Sequence, residues 1–168
     1  MARFNSNRRE KSEFSEKMVD LRRVARVMAG GRRFTFRATL VIGDKRGRVG
    51  VGTGKGTHTA LAMEKAIRSA KKRMIMVPLT KAGSIPFEIE AKYGAARVRV
   101  RPIATGRGLV AGGAVRSVLE LAGVTDTSAK IISHTKNKIS NARAAIEALK
   151  KLRHIEQKSE PESVDSKN

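Results

Sequence analysis

The chain has 168 residues, with 36 Lys or Arg against 15 Asp or Glu for a formal net charge of +21, and it is 40% hydrophobic. That suits one mid-sized domain or two small ones and is too apolar for a wholly disordered basic tail. With no Cys and three scattered His, a disulfide framework, a thiolate zinc site and a cysteine nucleophile are excluded, and neither a metal centre nor another cofactor is indicated.

Residues 1–55 carry a net +10, 56–110 carry +8 and 111–155 carry +5, while 156–168 carry −2. Cations therefore run through the patterned body, and self-repulsion on this scale calls for a polyanion, for which nucleic acid fits best. No apolar run nears the roughly 18 residues that span a bilayer. Met1–Lys11 also lacks the apolar stretch of a secretory signal. The expectation is a soluble cytoplasmic protein with no membrane partner.

In chain order, residues 1–12 read as a flexible basic arm. Val19–Met28 (VDLRRVARVM) predicts a strand with arginines opposite much of its apolar set, and Gly30-Gly31 predicts a turn. Phe34, Phe36, Ala38, Leu40 and Ile42 then alternate with Thr35, Arg37 and Thr39, which puts the two phenylalanines on a core face. After a turn at Gly43–Gly47, Val49 and Val51 predict a third strand, ended by the glycines at 50, 52, 54 and 56. A helix is expected from about Thr57 to Met74, capped by Thr57 or Thr59.

A loop at Lys81–Ser84 separates a second unit. Ile85, Phe87 and Ile89 predict one strand, and Val98 and Val100 another with Arg97, Arg99 and Arg101 on its opposite face. A glycine-rich loop from Gly106 to Gly113 precedes a helix that stops at Gly123. A short strand at Ala129–Ser133 and a helix from Ile139 to about Arg153 complete the pattern, and Glu156–Asn168 reads as a disordered acidic tail.

Two glycine loops invite a nucleotide reading. Gly50–Thr57 fails the phosphate-loop spacing, because Lys55 is followed by Gly56 and position 49 is Val. Gly106-Arg107-Gly108-Leu109-Val110-Ala111 matches G-x-G-x-x-A, with Asp126 near the expected distance. That acid, however, precedes its strand and the chain left is short for a dinucleotide fold. Glu88 and Glu90 are explained by strand alternation, and no His sits in nucleophile spacing, so no enzyme emerges. With three of the six aromatics assigned to core faces, base stacking is not expected. Recognition should rest on phosphates and on the shape of folded RNA.

Several stretches in series carry a resemblance: Arg23–Val27 with Gly30–Phe34, Gly43-Asp44 with Gly47–Gly52, Gly108–Arg116, Val118–Gly123 and Arg143–Leu149. From about Phe14 to Leu152 the chain resembles the bacterial small-subunit ribosomal protein five family. The resemblance implies an α+β fold: a double-stranded-RNA-binding-like β-meander plus helix over 13–77, then a second small α/β domain over 78–155. It implies binding to small-subunit rRNA, ribosomal proteins four and eight as neighbours, roles in assembly and decoding accuracy, and a place by the mRNA entry path. No homo-oligomer is expected. In this reading Arg22, Arg26, Arg32, Arg33, Lys45, Arg46, Arg48, Lys55 and Arg107 meet RNA phosphates, and Gly30 and Gly31 allow close approach. Gly106, Gly108, Gly112 and Arg116 face protein four. The chain departs from the family at Lys45, where an Asp-Gly turn is common, at Ala60, where Pro is common, and at His134–Lys138, which keep only Asn137 of a Gly-Ser-x-Asn-Pro motif.

Overall fold

A computed structural model describes residues 13–80 and 82–159. The expected basic arm at 1–12, and the acidic tail beyond Ser159, lie outside the described residues. Alternating apolar and polar residues build a first antiparallel sheet from β1 (Ser15–Met28), β2 (Gly31–Gly43), β3 (Arg48–Gly56) and β4 (Ile75–Met76), in that order. Helix α1 (Thr59–Lys71) lies on one face. The short β4, unseen in the sequence pattern, adds a fourth strand beside Arg48 and Val49.

β3 was expected to end at its glycines, and it instead runs through them to Gly56. The physical reason is close packing. A Cβ at Gly50, Gly52 or Gly54 would collide with the backbone of Ala70, Ala66 or Ala62. The glycines make a smooth track on which three buried alanines of α1 rest, while the ladder hydrogen bonds, which need no side chain, continue. The helix also starts at a different residue than expected: His58, not Thr57 or Thr59, is the N-cap, and no side chain caps it.

The second sheet runs β5 (Ile89–Tyr93), β6 (Ala96–Pro102), β8 (Thr127–Ile131) and β7 (Leu109–Ala111), with β7 parallel to β8. The strand expected from Ile85 begins only at Ile89. Pro86 cannot donate to a ladder, so Ser84 and Ile85 are buried in a loop instead. Helices α2 (Gly113–Ala122) and α3 (Lys138–Ser159) pack together, and α3 covers one face of the sheet. Val98 and Val100 point inward, and Arg97, Arg99 and Arg101 stand exposed on the other face. α3 continues six residues past Arg153, into the stretch expected to be tail.

One apolar core joins the two sheets. Val41, Val49 and Val51 of the first sheet are buried with Val98, Val115, Leu119, Ile146 and Leu149 of the second unit. The joint is sharpened at the end of α2, where Gly123 adopts φ 82° and closes a Schellman turn, with Val124 N–H donating to Leu119 O at 3.0 Å. Two further α2 carbonyls are met by the β2–β3 turn: Lys45 N–H donates to Leu121 O (3.0 Å) and Gly47 N–H to Ala122 O (2.9 Å). No helix among the described residues is long and apolar enough to cross a membrane.

Candidate nucleic-acid interface

The β1–β2 pairing outruns the rest of its sheet. β2 meets β3 only as far as Phe36 opposite Gly56, whereas β1 and β2 stay paired to Met28 opposite Gly31. The last turns of this hairpin therefore project as a two-stranded arm. On the face turned away from α1, Arg22 lies opposite Arg37, which lies opposite Lys55, and Arg26 lies opposite Arg33. Two rows of like charge thus cross the sheet, about 13 Å apart for four residues of strand. Directly opposed like charges destabilise a strand pair. Arg22 is relieved by Asp20, whose Oδ2 is 2.7 Å from Arg22 Nε. Arg26, Arg33, Arg37 and Lys55 have no acidic partner within ion-pair distance among the described residues.

Arg32 takes the other face of the arm, with Arg23 and Phe34. The Arg23 guanidinium lies 3.7 Å from the Phe34 ring centroid. The expectation that Phe34 is a core residue is overturned: it is 46% exposed. α1 begins at Thr59 and reaches only the inner part of this face, so Ala38, Leu40 and Ile42 are buried but Phe34 is not. Sequence reasoning also passed over Arg37 and Arg23. Arg37 is the outward residue between Thr35 and Thr39, and its place beside Arg22 and Lys55 follows only from strand pairing. The Arg23–Phe34 stack depends on strand register and has no local signature.

The turn cations are held differently. Asp44 Oδ1 accepts from the Arg46 and Arg48 amides (2.8 and 3.0 Å), and its Oδ2 accepts from Arg48 Nε at 2.7 Å. Burial would raise the Asp44 carboxyl, but these bonds outweigh it and hold it below the usual carboxylate range. Lys45 and Arg46 remain exposed. Nearby, the hydrogen bond from Lys17 Nζ to Glu120 (2.8 Å) ties β1 to α2 and holds Glu120 low as well, opposed by slight burial and helped by Arg116 and Lys45.

In the second unit, the loop that matched a dinucleotide fingerprint is already occupied. Asp126 Oδ1 accepts from Gly106 N–H (3.1 Å) and Gly108 N–H (2.8 Å), the amides a pyrophosphate would need. Gly106, Gly112, Arg107 and Arg116 remain exposed, and the glycines have open space where a Cβ would stand, as do Gly30 and Gly31. The exposed β6 arginines are partly neutralised, Arg97 and Arg99 by Glu90 and Arg99 also by Glu88. The sequence candidates therefore fall at three places: the arm with Lys55, the β2–β3 turn, and the loop before α2.

Residues 14–78 match the family model for the N-terminal domain of ribosomal protein S5, and residues 91–161 match that for its C-terminal domain. This chain belongs to the ribosomal protein S5 family. Among its relatives is the small ribosomal subunit protein uS5 of Trichormus variabilis, 42% identical over 160 residues, 95% of this chain and 91% of the relative. The uS5c protein of Cyanophora paradoxa is 46% identical over 155 residues, covering 92% and 91%. The small ribosomal subunit protein uS5 of Synechococcus elongatus is 46% identical over 148 residues, covering 88% and 82%. Within the S5 family frame, the arm and turn belong to the N-terminal match and the Asp126-filled loop to the C-terminal one.

Proposed function

We propose that this protein is a structural, non-catalytic constituent of the small ribosomal subunit that binds small-subunit rRNA. Membership of the S5 family across both matched domains carries the reading. The cation rows at Arg22–Arg37–Lys55 and Arg26–Arg33 supply its physical basis, since RNA phosphates relieve the repulsion they build in. Lys45, Arg46 and Arg48 at the turn and Arg107 in the second unit extend the phosphate-binding surface. Gly30 and Gly31 let the arm tip approach RNA backbone. The filled Gly106–Ala111 loop argues against a nucleotide-dependent enzyme, because a carboxylate occupies the site a phosphate would take.

At finer grain, the open loop and helix start at Gly106, Gly108, Gly112 and Arg116 form the surface toward ribosomal protein four. Protein eight is a second neighbour, and the protein supports assembly, decoding accuracy and the mRNA entry path. These contacts rest on the family resemblance and on the exposure of that loop. Sedimentation of cell extracts tests the main reading. Nearly all of the protein should travel with small subunits through moderate salt, and a mostly free pool would contradict it.

A further inference from the structure

The arm just described has two unlike faces, and the rRNA reading uses only one. Register places Arg23, Ala25 and Val27 opposite Phe36, Phe34 and Arg32, so these residues share the face on the α1 side with Leu21. Beyond the reach of α1 this face is open, with Val27 74% and Phe34 46% exposed, and Leu21 at its inner edge, opposite Ala38, is 39% exposed. A two-stranded arm gains nothing by exposing such a stripe to water. Its charges are Arg23 and Arg32, with no carboxylate from Leu21 outward. The Arg23 guanidinium carbon sits over Phe34, 3.7 Å from the ring centroid, which holds the ring before any partner arrives.

Aromatic rings and guanidinium planes are the two side-chain surfaces on which unpaired RNA bases stack. We propose that the Phe34–Arg23 stack receives one unpaired base of the rRNA, with Val27 against its edge, while the opposite face of the same strands follows phosphates. The arm would then lie between a sugar–phosphate backbone on one side and an extruded base on the other. This inference rests on the rRNA reading and adds base recognition to it. A protein partner for the same stripe is less well matched, because the stripe's charges are all cationic and one of them is spent on the ring.

The test uses the full chain with a small-subunit rRNA transcript and, beside it, an uninterrupted RNA duplex. Phe34→Leu keeps the apolar contact and removes the π face; Phe34→Tyr restores it. The expected result is binding of the transcript weakened roughly 5- to 100-fold by Phe34→Leu and near normal with Phe34→Tyr. The salt dependence and the duplex affinity should not change, because no phosphate contact is lost. A base that the wild-type chain shields from dimethyl sulfate should become reactive again with Phe34→Leu. Undiminished affinity of Phe34→Leu, or an equal loss on the duplex, would overturn base stacking and leave phosphate binding standing. So would normal RNA binding combined with failure to enter small subunits, which would assign the stripe to a protein. Failure of the wild-type chain to bind the transcript would instead remove the rRNA reading itself.

Discussion

At the residue scale, the β2–β3 turn shows how one carboxylate organises a cationic turn. Lys45 sits at φ 59°, the left-handed region that glycine favours. It occupies the position where the resembled family commonly has the Gly of an Asp-Gly turn. Asp44 makes this tolerable by binding the Arg46 and Arg48 amides and the Arg48 side chain. Because its carboxyl is held below its ordinary 3.8, the stabilisation is complete above that value and is lost as pH falls through the lower native one. Asp44→Asn should cost about 1–3 kcal/mol at neutral pH, with a smaller difference from wild type in acid. Urea titrations at pH 7 and pH 3 check this; an equal deficit at both would mean the ionised form is not what holds the turn. The Asp44 bonds were not legible beforehand, since nothing local says which of several nearby amides a carboxylate will take. The turn itself was, from Gly43 and Gly47.

At the element scale, alternation was a good guide to β2 and a poor one to β3. The run Phe34–Ile42 shows its two faces plainly, and its register bears them out, but Gly50, Gly52, Gly54 and Gly56 look like a strand being broken. Only the partner helix explains them, and a partner is a tertiary fact. Ala62, Ala66 and Ala70 lie fully buried against those glycines. Gly52→Val, an excellent strand former by propensity, should therefore destabilise the protein by about 1–3 kcal/mol. Equilibrium denaturation measures it, and an unchanged midpoint would contradict the close-approach account. Phe34 failed in the opposite direction: its pattern says core, but the helix that would bury it starts too late. The same geometry leaves the exposed ring proposed above to receive a base.

At the scale of the whole molecule, the +21 charge points to a polyanion but says nothing of where contact occurs. The fold sorts the cations. Some are spent internally, Arg97 and Arg99 on Glu90 and Lys150 on Glu147. Others are set in opposition on the arm, where they cost stability unless phosphates lie between them. The fold class, the two-unit division and the family were legible in the sequence because each rests on long patterns or several motifs in series. The cation rows were not, because Arg37 and Lys55 meet Arg22 only through strand register.

The central claim is that the cation rows along this hairpin, rather than diffuse charge, are a principal RNA contact. It is tested most directly by the salt dependence of rRNA binding in two variants that lose the same charge. One carries Arg26→Gln, Arg33→Gln and Arg37→Gln; the other carries Arg97→Gln, Arg99→Gln and Lys150→Gln. If these three cations each meet a phosphate, the slope of log K against log salt should shrink by about 2–3 in the first variant. Its free-state stability should be no lower than wild type, since like-charge neighbours are relieved. The second variant should keep nearly the wild-type slope. Equal slopes in the two variants would contradict the account.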